Sequence, residues 1–139
     1  LAADHPLTRL ATATTVLLRD LARSPAQARL VARATTAIPD VVNAMQAHLR
    51  QDLADAHAAG PLAVSRVELA ARIVTAVARQ AAQDLAEGRI DETALPDIVR
   101  AILRAVGCTP RDAAARADQA ARHAEAFSRS AAAPARKPS

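Results

Sequence analysis

Few side chains in this sequence are of a type and spacing that do chemistry. The densest set is His48, Asp52, Asp55 and His57, all within one stretch that reads as a helix. His48 and Asp52 stand four apart and share an edge of that helix, with Asp55 one turn further along it. Two imidazoles and two carboxylates are donors that suit a divalent cation. His57 points away from the other three, however, and one helix seldom converges four ligands without help from elsewhere. The plainer alternative is an ion pair, either solvated or at a pocket rim. Cys108 is the only thiol. It follows a helix C-terminus, where the negative end of the dipole raises a thiol pKa and blunts a nucleophile. There is no Gly-x-Ser-x-Gly, and three glycines scattered at helix ends do not build a phosphate loop. No catalytic residue, metal ligand set or cofactor is assigned, and the chain is not expected to be an enzyme. A small helical enzyme built on His48 and Asp52 remains a rival.

A second kind of site is apolar. Thr14 sits in the middle of a leucine-lined helix face, and Met45 lies mid-face on a later helix. Threonine in such a place commonly bonds the carbonyl four residues back, and methionine commonly fills a core gap. The sharper alternative is a ligand cavity between helices, lined by Thr14, Leu18, Val41, Met45 and His48. Such pockets are mostly apolar, with a few polar groups placed for orientation.

The elements that must position these residues are helices. Of 139 residues, 39 are Ala and 31 are Leu, Ile, Val, Met or Phe, while Trp and Tyr are absent and Phe127 is the only aromatic. So few glycines and β-branched residues exclude an all-β or doubly wound α/β fold. The expectation is an all-α bundle of five core helices plus a C-terminal helix. The formal charge is +4, but 108–139 carries six cations against three anions and 1–107 only twelve against eleven. The basic character therefore belongs to the terminal tail and is poor evidence for a nucleic-acid surface on the body. No uncharged apolar run approaches the ~18–20 residues that cross a bilayer, so no membrane partner is expected. A single cysteine excludes an internal disulfide and a cysteine-built zinc site, which suits a reducing compartment such as the cytoplasm.

Prolines and glycines cut the chain into segments of helical period. Residues 7–23 align Leu7, Leu10, Thr14, Leu17, Leu18 and Leu21, with Arg9, Thr12, Arg19 and Arg23 opposite. Ser24-Pro25 ends that helix and starts another over 25–37. Pro39 restarts the chain for 40–58, which aligns Val41, Val42, Met45, Leu49, Leu53 and Ala56 before Gly60-Pro61. Ser65-Arg66-Val67-Glu68 reads as a capping box for a helix closing on Gly88. Asp91 caps a further helix to Gly107, with Pro96 near its first turn. Thr109-Pro110 opens a sixth helix with an inner face of Ala113, Ala117, Ala120 and Ala124, expected to dock weakly because alanines bury little area. The expected division is a core domain over 1–107, a weakly docked helix over 108–127 and a disordered basic tail over 128–139.

The helix over 66–87 stands apart. Its polar side chains (Glu68, Arg72, Thr75, Arg79, Gln83) form a narrow strip and leave an apolar arc far wider than a surface helix needs. That second apolar side needs cover from a central core or from another subunit. With the similarly apolar helix over 91–106, the expectation is half of a four-helix dimer contact, through Leu69, Ile73, Ala76, Val77, Ile98, Ile102 and Val106. A second copy of the chain is the expected partner.

The stretch from Val67-Glu68-Leu69-Ala70-Ala71-Arg72-Ile73-Val74 through Leu85-Ala86-Glu87-Gly88 to Val99-Arg100-Ala101-Ile102-Leu103-Arg104-Ala105-Val106-Gly107 resembles the C-terminal part of TetR-family transcriptional regulators. The upstream order fits as well, with Leu17-Leu18-Arg19-Asp20-Leu21, a Ser-Pro break, Arg29-Leu30-Val31 and a long helix ending near Gly60. The resemblance implies a homodimer built on 66–87 and 91–106, and a small-molecule pocket among the helices over 7–23, 25–37, 40–58 and 66–87. It also implies a repressor whose operator is read by an N-terminal helix-turn-helix domain. That domain is absent from these residues, and because the chain begins with Leu1 an upstream segment is expected. The implied effector is a small apolar molecule. A rival of another class is an Ala-rich amphipathic helical protein that coats surfaces or binds partners without any link to DNA.

Overall fold

A computed structural model of the chain describes residues 4–60 and 62–132, without the side chains of residues 41, 42, 44 and 45. Among them the fold is all-α. Six helices follow one another: α1 (Pro6–Arg23), α2 (Pro25–Ala37), α3 (Pro39–Ala59), α4 (Val67–Ala86), α5 (Leu95–Val106) and α6 (Pro110–Ala132). Proline occupies the first turn of α1, α2, α3 and α5, where its missing N–H is unneeded and its fixed φ favours the helix. The Ser24 hydroxyl accepts from the Gln27 N–H at 3.3 Å, and Thr109 accepts from the Asp112 N–H at 3.1 Å, as those sequence signals predict. His5 does the same for α1, its Nδ1 accepting from the Leu7 N–H at 3.1 Å.

Two starts differ from expectation. The Ser65 capping box does not form: α4 begins at Val67 with Arg66 at its cap and no side-chain cap bond. Glu68 turns instead to Arg50 of α3 at 2.8 Å, a charge-assisted contact that competes with reaching back to a neutral amide. Asp91 caps a single 3-10 turn over Glu92–Ala94, and α5 proper starts at Leu95.

The sequence predicts that α1 is one-sided. In the structure it is the central helix, meeting each of the other five. Leu7, Leu10 and Ala11 join Leu53, Val74, Val99, Ile102, Leu103 and Val106 in the larger core cluster. Leu18 and Leu21 join Ala28, Ala81, Ala82, Leu85 and Leu95 in the smaller one. Part of the expected outer face of α1 is covered too, because α6 lies along it: Thr12 is buried, while Arg23 stays exposed. Thr8, Thr12 and Thr15 sit there without orphaned hydroxyls: Thr12 donates to the Thr8 carbonyl at 2.8 Å and Thr15 to the Ala11 carbonyl at 2.7 Å. Arg116 of α6 donates to Thr8 Oγ1 at 3.0 Å.

The helix α6 is therefore part of the bundle rather than an appendage. Ala113, Ala117, Ala120 and Ala124 are all buried, and their small size lets two backbones approach across a threonine–alanine seam. His123 reaches Asp4 at 3.5 Å at the far end of the contact. The helix runs on to Ala132, so residues 128–132 of the expected tail are helical. Residues 133–139 lie outside the described residues.

Because α5 is wedged between α1, α4 and α6, its apolar side is spent inside the subunit. Ile102 is 1% exposed and Val106 fully buried, so neither can meet a second copy as the sequence predicts. The chain enters α6 through Gly107 at φ +123, where Ala63 donates its N–H to the Val106 carbonyl at 3.2 Å. A Cβ at Gly107 would stand 2.8 Å from that nitrogen. No helix among the described residues is long and apolar enough to cross a membrane.

Candidate ligand-binding site

A cavity of about 160 Å³ opens where α1, α2, α3 and α4 fail to close on one another. Its wall is periodic. From α1 come Leu10, Ala13, Thr14, Leu17 and Leu21, and from α4 come Val74, Thr75, Ala78, Arg79 and Ala82, each set one helical edge at spacings of three and four. Val31 and Thr35 contribute from α2, and Gln46, His48, Leu49 and Asp52 from α3. Alanines at 13, 78 and 82 leave the void, since a larger residue at any of them would fill it.

Of the five residues expected to line a cavity, Thr14 and His48 do so. The Thr14 hydroxyl nonetheless donates to the Leu10 carbonyl at 2.9 Å, so it presents mainly its methyl to the space. His48 stands exposed at the rim. Leu18 belongs elsewhere: one position round from Leu17, it is fully buried in the smaller core cluster. Val41 and Met45 have side chains outside the described residues.

Sequence reasoning missed Gln46, Thr75 and Arg79 as wall residues. Gln46 is 8% exposed and bridges two helices, donating from Nε2 to Thr75 Oγ1 at 3.0 Å and accepting from Arg50 at 2.8 Å. Its spacing to Leu49 and Leu53, three and seven residues, was the available signal. Thr75 and Arg79 fall in the polar strip of α4. That strip is not a simple water-facing edge: Glu68 and Thr75 face α3, and Arg79 looks across the cavity mouth.

The carboxylates of the 48–57 cluster serve an ion pair. Asp52 and Asp55 both bind Arg9 of α1 at 3.1 Å, a clamp that fixes α3 against α1 beside the cavity. His57 is exposed, and among the described residues no group of three or more potential ligands is placed to hold a metal ion. Cys108 is buried, and burial pushes its thiol above the ordinary cysteine value, with Arg116 opposing. The direction matches expectation; the leading cause is desolvation rather than the helix end.

Opposite the cavity, the outer side of α4 carries what remains of the expected interface. Leu69 is 48% exposed, Ala76 is exposed, and Ile73, Val77 and Ile98 are half-buried. Ala76, Val77, Ala81, Ile90, Ala94 and Ile98 form an open apolar groove edged by Gln80, Asp84 and Asp97. Comparison of the chain with protein-family models, with curated proteins and with solved structures found no match.

Proposed function

We propose that this chain is the ligand-sensing and dimerisation part of a TetR-like transcriptional regulator, a repressor whose hold on operator DNA changes when a small apolar effector enters the α1–α4 cavity. One observation carries the reading: the cavity takes its wall from four separate helices, so filling it presses on all of them. A second copy covers the outer strip of α4 around Leu69, Ile73, Ala76 and Val77 together with Ile98 of α5, with Ile102 and Val106 excluded. A helix-turn-helix domain of the kind these regulators carry ahead of such a bundle reads the DNA. Effector entry then alters the spacing of two such heads, by no more than the effector's difference in affinity between the two states. The protein works in the cytoplasm beside its operator and performs no catalysis.

Sedimentation velocity at micromolar concentration, with and without octanol as a neutral apolar probe, tests this. The expected result is a dimer taking up one octanol per subunit, and an Ala78→Leu variant of unchanged helicity that takes up none. A strict monomer, or equal uptake by the filled variant, overturns the proposal.

A further inference from the structure

The polar groups around the cavity narrow the class of effector. We propose that the site takes a small amphiphilic monocarboxylate, whose apolar body fills the cavity and whose carboxylate binds Arg79 at the mouth. This rests on reading the cavity as a ligand site. The groups facing the space are mostly committed. The Thr14 and Thr35 hydroxyls donate to their own helices' carbonyls at 2.9 and 3.1 Å. Gln46 spends its amide on Thr75 and Arg50, and Asp52 is held by Arg9. Two groups on the wall have no hydrogen-bond or ion-pair partner among the described residues: the Arg79 guanidinium and the His48 ring, both on exposed residues at the mouth.

Arg79 differs in this from many arginines of the fold. Arg9, Arg19, Arg23, Arg50, Arg89 and Arg100 each meet a carboxylate. On α4 the positions three and four residues from Arg79 are Thr75, Ala76, Ala82 and Gln83, so its own helix offers no acid. It also borders a second, more polar hollow between α2 and α4, shared with Thr35 and Gln83, so the guanidinium stands between an apolar space and water. A forked donor there matches a carboxylate in two-pronged geometry, and the one acid on the wall, Asp52, is already neutralised. Size fixes the body. A void of about 160 Å³ is close to the ~150 Å³ apolar cavity that holds benzene, so it takes an apolar body of the order of one six-membered ring or a short chain, with the polar end at the mouth.

The test compares octanoate with octanol by calorimetric titration of the whole chain at low ionic strength. Arg79→Gln is expected to weaken octanoate about tenfold, the loss of a charge-assisted pair at a partly wetted site, and to leave octanol within about twofold. Arg72→Gln, an exposed arginine on the same helix but off the cavity wall, changes neither. If octanol binds and octanoate binds no better to the parent than to Arg79→Gln, the carboxylate assignment falls and the cavity reading stands. If neither compound binds, the cavity reading fails and this proposal with it.

Discussion

Truncating Ile102 and Leu69 to alanine separates what the subunit core holds from what a second copy would cover. Ile102 lies 1% exposed in the larger core cluster. Losing three carbons at about 0.8 kcal/mol each costs ~2.4 kcal/mol in transfer alone. The cavity left among Val99, Leu103 and their neighbours raises the expected loss to about 3–4 kcal/mol. Against a total of about 5–15 kcal/mol that is a large fraction. Leu69, 48% exposed, should cost an isolated subunit no more than about 0.5 kcal/mol. In a dimer it costs more, and the parent's apparent stability rises by about 1.4 kcal/mol per tenfold increase in protein. With no Trp or Tyr to report, urea unfolding is followed by the helical far-ultraviolet signal at two concentrations tenfold apart. Ile102→Ala within about 0.5 kcal/mol of the parent would refute the core assignment, since that is the range of surface changes. A parent midpoint that ignores concentration would refute the covered strip.

Three further perturbations probe the joints of the fold. Gly107→Ala should destabilise strongly, by about 2 kcal/mol or more, since it forces a side chain into a left-handed φ and against the Ala63 nitrogen; Gly88→Ala, at φ +71 but with open space around it, should cost only about 1 kcal/mol, and denaturation midpoints for the two should differ accordingly. Arg9→Ala releases both Asp52 and Asp55 and should cost about 1 kcal/mol, less at high salt, as read from melts at two ionic strengths. His5 is held below the ordinary histidine value by desolvation, then by Arg116 and Arg9. A depressed folded value means its contribution is present above the ordinary range near 6.5 and is lost as pH falls through the folded value. Protonation also removes the Nδ1 lone pair that caps α1. His5→Asn, which keeps an acceptor and cannot titrate, should flatten melting temperature between neutral and mildly acid pH; an unchanged slope would remove His5 as its source.

Helix number, order and breaks were legible in the sequence because they depend on local chemistry. Pro25, Pro39, Gly60, Gly88 and Gly107 act within a turn of themselves, and the Ser24 and Thr109 caps reach only three residues. The Arg9 clamp was half legible: Asp52 and Asp55 mark an edge, but their partner lies on another helix. Leu18 is the wall residue the sequence points to, and a turn of one position about α1 sends Leu17 to the cavity and Leu18 into the core instead.

What the residues determine alone is an all-helical chain with one helix, α4, too apolar for an ordinary surface, since helical period and the absence of strand-forming composition need no partner to be read. Which surfaces face which was decided only by tertiary packing. The helix α6, whose alanines suggest a loose attachment, closes on the threonines of α1, and that makes α1 central and consumes Ile102 and Val106 of α5. Small side chains announce no partner in sequence, because their contribution is how near two backbones can come, and that distance exists only once both helices are in place.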